Sequence, residues 1–232
     1  MRNLINIMTL IFMSSIPCIS LANDDQSSTH FRLDFFATTK FINEMKLSQA
    51  SEKSILMFGD SITQSLNEND MHFDYTNLGI GGDTAKGIFE RMMNVDLGHY
   101  KGVFVSAGTN DLIKGEDGII LANEIEKIVD YSAPKAKHLY VSEVFVPNKS
   151  IVPQVPNNFS VINIKIREAC SRYKNCTVIP TPKGMIGSDG ISTKMSLIDG
   201  VHLNSTGYAL WKIELNKKMA DFPVNYYYHF RY

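Results

Sequence analysis

The stretch Ile55–Ser65, ILMFGDSITQS, decides how this chain is read. Its apolar residues run without interruption and stop abruptly at Gly59-Asp60-Ser61. A short continuous apolar run closed by turn formers is the pattern of a strand buried on both faces, because a half-exposed strand alternates. Ser61 then stands at the strand's carboxyl end, as a nucleophile or as the cap of a helix over the following residues. Asp60 would cap that helix equally well. Gly, Asp and Ser are also the commonest turn residues, so the tripeptide alone does not separate these readings.

Working outward, four further segments share the pattern, bringing the set to SILMF (54–58), YTNLG (75–79), GVFVS (102–106), HLYVSEV (138–144) and CTVIP (176–180). Helical patterns cover 33–49 before the first strand and 83–94, 118–132, 157–174 and 204–222 after the others. Strand alternating with helix predicts a parallel sheet covered on both faces, a three-layer α/β/α sandwich with five strands in one domain over 23–232. Residues 146–158 form a Pro/Asn-rich loop. In such a sheet ligands bind at the carboxyl ends of the strands. Polar clusters stand at those ends: Ser61, then residues 81–84, then 108–111, with 199–202 just before the last helix.

Composition narrows the function. The chain has 232 residues, 44% hydrophobic and 20% charged, with a net charge of -1. That balance suits one well-filled core and provides no basic footprint for nucleic acid. Residues 1–22 differ: Arg2, an apolar region, then Ser20-Leu21-Ala22 read as a secretory signal peptide cleaved before Asn23, with a retained anchor as the alternative. The protein is therefore expected to be exported, periplasmic or secreted, with no integral span after cleavage. Cys18 leaves with the leader, and Cys170 and Cys176 remain as a disulfide pair or as two buried thiols. No Cys/His cluster has zinc spacing.

Four motifs lie in order along the chain: GDSIT (59–63), NLGIGGDT (77–84), GTND (108–111) and DGVH (199–202). Together they resemble the four blocks of the SGNH (GDSL-type) hydrolase family, with the second and third most similar to its platelet-activating-factor acetylhydrolase-like branch. The resemblance spans about Leu33 to Asp221 and implies a flavodoxin-like sheet and no cofactor or metal. The chemistry asks for the same residues. Acyl transfer needs a nucleophile, a base, a group orienting the base, and donors for the oxyanion. Ser61 needs a neighbouring imidazole, and His202 is the best candidate. Asp199, three residues earlier, is placed to accept the Nδ1 proton and present Nε2 to Ser61. By resemblance Gly82 donates its N–H to the oxyanion and Asn110 its side-chain amide, with the Ser61 N–H as third donor. Asp83 and Asp111 read as structural, Asp83 as the cap of a helix starting at Thr84.

The expected activity is thus a serine esterase acting on small acyl groups, acetyl above all, through an acyl-enzyme. O-acetyl groups on a glycan are the first substrate expectation and a lysophospholipase or arylesterase the second. A glycan O-acyltransferase would use the same blocks, and a glycan-binding module with an idle site is the non-enzyme alternative. GIGGDTAKG lacks the Gly-Lys-Ser/Thr ending of a phosphate loop. No GxSxG elbow is present. His30, His72, His99, His138 and His229 stand outside every block, and the aromatic tail FPVNYYYHFRY is expected to pack on its own domain.

Overall fold

The computed structural model describes the backbone of residues 24–220 and the side chains from Asp34 onward. The expected signal peptide and the aromatic tail lie outside the described residues. Helix α1 (Asp24–Ser48) leads into strand β1 (Ile55–Gly59) and the single-turn helix α2 (Ser61–Gln64). Strand β2 (Tyr75–Gly79), helix α3 (Ala85–Met92), strand β3 (Gly102–Ser106) and the short helix α4 (Thr109–Ile113) follow. Next come α5 (Gly118–Ser132), β4 (Leu139–Ser142), α6 (Ser160–Ser171) and β5 (Cys176–Ile179). A small hairpin, β6 (Ile186–Gly187) with β7 (Gly190–Ile191), precedes α7 (Ser205–Met219).

The five main strands form one parallel sheet in the order β2-β1-β3-β4-β5, the flavodoxin-like order. Every residue of β1, β3 and β4 is buried, which is why these runs do not alternate in sequence. The alternation is instead between two cores. Leu56 and Phe58 face one, with Ile88 of α3, Ile125 of α5 and Ile166 of α6. Ile55 and Met57 face the other, with Trp211 and Leu215 of α7. The chain is therefore the expected three-layer α/β/α sandwich.

Register positions the site. Gly59 of β1 pairs with Gly79 of β2 and with Ser106 of β3, so three strands end at one level and their following loops meet on one rim. Close approach explains the strand-ending glycine of β2. A Cβ on Gly79 would run into the backbone of Gln64, so α2 could not fold back over the sheet. Cys170 at the end of α6 and Cys176 at the start of β5 are joined by a disulfide, their Cα atoms 5.3 Å apart. Among the described residues no helix is long and apolar enough to cross a membrane. None of their His, Cys, Asp and Glu side chains cluster in threes fit to hold a metal ion.

Candidate active site

The turn after β1 is built by Asp60. Its backbone is extended and its Oδ1 accepts from the Ile62 N–H at 2.9 Å, so Asp60 caps α2 and Ser61 is the first helical residue. The cap reading of Ser61 is thereby replaced, which leaves its hydroxyl free of that duty. Ser61 Oγ lies 2.8 Å from His202 Nε2.

His202 stands on a tight hairpin. The Leu197 N–H donates to the His202 carbonyl at 2.7 Å and the Gly200 N–H to the Leu197 carbonyl at 3.1 Å, with Ser196 bridged to Leu203. Asp199 sits at the turn. Its Oδ1 accepts from the Val201 and His202 N–H groups at 2.9 and 3.0 Å, and its Oδ2 lies 2.6 Å from His202 Nδ1. An ionised carboxylate only accepts, so Nδ1 carries the ring proton and Nε2 presents its lone pair to the Ser61 hydroxyl. Partial burial works to raise the Asp199 carboxyl, but the bonds from His202 and Val201 outweigh it and hold the group below its ordinary value.

The loops after β2 and β3, the strands that flank β1, leave the sheet at the same level as Ser61. Gly82 has φ +79, and nothing lies within 4 Å of where its Cβ would be. Backbone conformation, not crowding by the protein, calls for glycine there. Asn110, in the first turn of α4, donates from Nδ2 to the Asp83 carbonyl at 2.9 Å; an amide carries a second N–H for another acceptor. Asp83 does not cap α3. Thr84 does, its hydroxyl accepting from the Gly87 N–H, because Asp83 accepts instead from the Thr84 N–H and from Arg91.

Three supporting residues escape sequence reasoning. Arg91 donates to Asp83 Oδ2 at 2.9 Å, to the Leu78 carbonyl at 2.8 Å and to the Gly59 carbonyl at 3.2 Å, tying the ends of β1 and β2 to the loop bearing Gly82. Its one signal is position: it falls three residues after Ile88 on the face of α3 that is buried. Gln64 accepts from the Gly81 N–H at 2.7 Å, linking α2 to the same loop. Tyr208 of α7 donates to the Ile62 carbonyl at 2.9 Å. Neither residue belongs to any motif.

Asp60 is buried and feels two other carboxyls, the buried Asp83 and the partly buried Asp111. Burial pushes it up to about 7, against the Ile62 N–H and the nearby His202, and the other two carboxyls add to the rise. Burial raises Asp83 despite Arg91, and Asp111 despite the Ala85 N–H. Because the fold favours neutral Asp60, its contribution to stability is present in full below the ordinary carboxyl value near 3.8 and is lost as pH rises through about 7. Asp60→Asn stays neutral and keeps an oxygen for the Ile62 N–H. Its melting temperature should therefore match the wild type near pH 4 and exceed it by about 5 °C at pH 8. Thermal melts across that range check this. A difference that does not grow with pH would show that Asp60 folds ionised.

The sequence profile of the GDSL-like Lipase/Acylhydrolase family matches residues 57–210, the span from β1 into α7 that holds every residue of the site described above. The chain belongs to that family. It is an ester hydrolase accordingly. Among its relatives, the human platelet-activating factor acetylhydrolase IB subunit alpha2 is 24% identical over 167 residues, covering 68% of this chain and 72% of the relative. Two solved structures share the hydrolase's fold. A GDSL-like lipase from Bacteroides thetaiotaomicron has a TM-score of 0.63 at 16% identity, covering 78% of this chain and 97% of that one. A member of the lipolytic G-D-S-L family from Veillonella parvula has a TM-score of 0.59 at 18% identity, covering 73% and 99%.

Proposed function

We propose that this hydrolase is an exported serine esterase that removes small acyl groups, acetyl first, through Ser61, His202 and Asp199. The observation that carries the reading is the continuous chain from Ser61 Oγ to His202 Nε2 and from Nδ1 to Asp199, at 2.8 and 2.6 Å. Ser61 Oγ attacks the ester carbonyl carbon while its proton passes to Nε2, and the imidazolium is held by Asp199. The oxyanion is met by the N–H groups of Ser61 and Gly82 and by Asn110 Nδ2. Collapse expels the alcohol, which takes the proton from Nε2. His202 then activates the water that frees the acid. The preference for a small acyl group is supported by the relatives named acetylhydrolase, and export by the leader-like residues 1–22.

The test is hydrolysis of 4-nitrophenyl acetate and octanoate by the purified protein beside Ser61→Ala. Cleavage that vanishes with Ser61 and favours acetate supports the reading; no cleavage above the Ser61→Ala background removes it. Asn110→Ala should lower kcat about 100- to 1,000-fold with little change in KM, because the oxyanion forms only in the transition state. An unaltered kcat would take Asn110 out of the mechanism. A glycan as the carrier of the acetyl group is the first expectation from the sequence, and it rests on the expected export and the likeness to the acetylhydrolase-like branch. A lipid-like alcohol is favoured by one structural feature, the exposed aliphatic side chains beside His202.

A further inference from the structure

The hairpin that carries Asp199 and His202 also carries two exposed aliphatic side chains. Leu197 is 51% exposed and Ile198, immediately before Asp199, is 97% exposed. A third, Ile151, is 42% exposed. It reaches the same hairpin, since a Cβ built on Gly200 would lie 2.9 Å from Ile151 Cδ1. The two loops are tied together. The Asn148 N–H donates to the Gly200 carbonyl at 2.7 Å, and the Asn148 side-chain amide donates to the Ile191 carbonyl at 2.8 Å. Single exposed aliphatics are ordinary on a protein surface, but three on two joined loops next to Asp199 and His202 suit a binding surface.

The chemistry decides what meets this cluster. His202 Nε2 takes the Ser61 proton and returns it to the departing alcohol oxygen. The alcohol half of the ester therefore lies on the His202 side of Ser61, and the carbonyl oxygen lies toward Gly82 and Asn110. We propose that Ile151, Leu197 and Ile198 form an apolar lip that binds an aliphatic chain on the alcohol half of the substrate. The preferred substrate is then a short acyl group carried by an aliphatic alcohol. This rests on the roles assigned above to Ser61 and His202.

Two ester series test it on the purified full chain. One fixes the acyl group and lengthens the alcohol, from ethyl to butyl to hexyl acetate, kept below the solubility limit and followed by acid release. The other fixes 4-nitrophenol and lengthens the acyl group from acetate to hexanoate. The wild type should gain about two- to fourfold in kcat/KM per added methylene on the alcohol side. The double variant Leu197→Ser/Ile198→Ser should lower the hexyl-to-ethyl ratio about tenfold, chiefly through KM, with an acyl-length profile parallel to the wild type. Exposure makes both substitutions harmless to folding, and a thermal melt verifies that. An unchanged hexyl-to-ethyl ratio overturns the proposal. So does a change confined to the acyl series, which would put the lip on the acyl side. A double variant that keeps the ratio but turns a dimer into a monomer by light scattering also overturns it, in favour of a second copy of this chain. If the wild type cleaves no ester beyond the Ser61→Ala background, the roles of Ser61 and His202 fail first and the lip proposal falls with them.

Discussion

Ser61→Ala is expected to lower kcat on 4-nitrophenyl acetate by about 10⁴- to 10⁶-fold while leaving the fold intact. On the proposed mechanism the base serves this one oxygen: His202 Nε2 is aimed at Ser61 Oγ at 2.8 Å, and the alanine removes the hydroxyl it would activate. On the proposed mechanism residual turnover would come from water attacking an ester still polarised by the N–H groups of Gly82 and Asn110. The structural effect should be small. Asp60, not Ser61, caps α2, and alanine is a good helix former at the helix's first position. Melting temperature should stay within a few degrees of the wild type, so the loss is read as chemistry. A variant that retains a tenth or more of the wild-type kcat, free of contaminating esterase, would show that the acyl group is never carried on Ser61.

Asp199→Asn is expected to lower kcat by about 10³-fold, through the wrong tautomer and not through lost structure. The direction follows from how the carboxylate is held. Oδ1 accepts from two backbone N–H groups, those of Val201 and His202. An asparagine must keep its oxygen there, which turns its NH₂ toward His202 Nδ1. The ring nitrogen facing an NH₂ has to be the unprotonated one, so the proton moves to Nε2 and points at Ser61, where the proposed mechanism requires a base. A loss of about 10⁴-fold is typical where the carboxylate is fully buried. Here the side chain is 42% exposed, and water at the ring offers a partial route back to the working tautomer. Asp199→Ala, which removes the amide, should lose less than Asp199→Asn for the same reason. Measuring both variants separates orientation from charge. Equal losses would mean that the negative charge, and not the tautomer, is what Asp199 supplies.

The fold was legible because its signals are long and redundant. β1, β3 and β4 are buried throughout, so each reads as an unbroken apolar run. α5 has its apolar residues at helical spacing and an aspartate cap at Asp117. Where the reading fell short, the elements were too small or too polar for periodicity to show. α2 and α4 have four and five residues, and β6 and β7 two each. Their stability comes from partners distant in sequence, as when the Ile191 N–H donates to the Val146 carbonyl at 2.8 Å. α1 begins at Asp24, nine residues before the expected start, because DDQSSTHFR offers no apolar stripe to recognise.

Sequence determined which residue types stand after which strand: a serine after β1, a glycine pair after β2, an asparagine after β3, and Asp-x-x-His before α7. Those assignments needed only local order, because each motif is contiguous and each strand delivers its loop to the same rim. Only tertiary structure decided how the motifs are held and what surrounds them. Arg91 reaches two strand ends and Asp83 at once, Gln64 meets Gly81 across 17 positions, and Tyr208 meets Ile62 across 146. The carboxyl of Asp60 changes character because burial removes it from water, and Ile151 comes beside Gly200 because two loops cross there. Such effects depend on distance in space and on exclusion of solvent, neither of which is written in the order of residues along the chain.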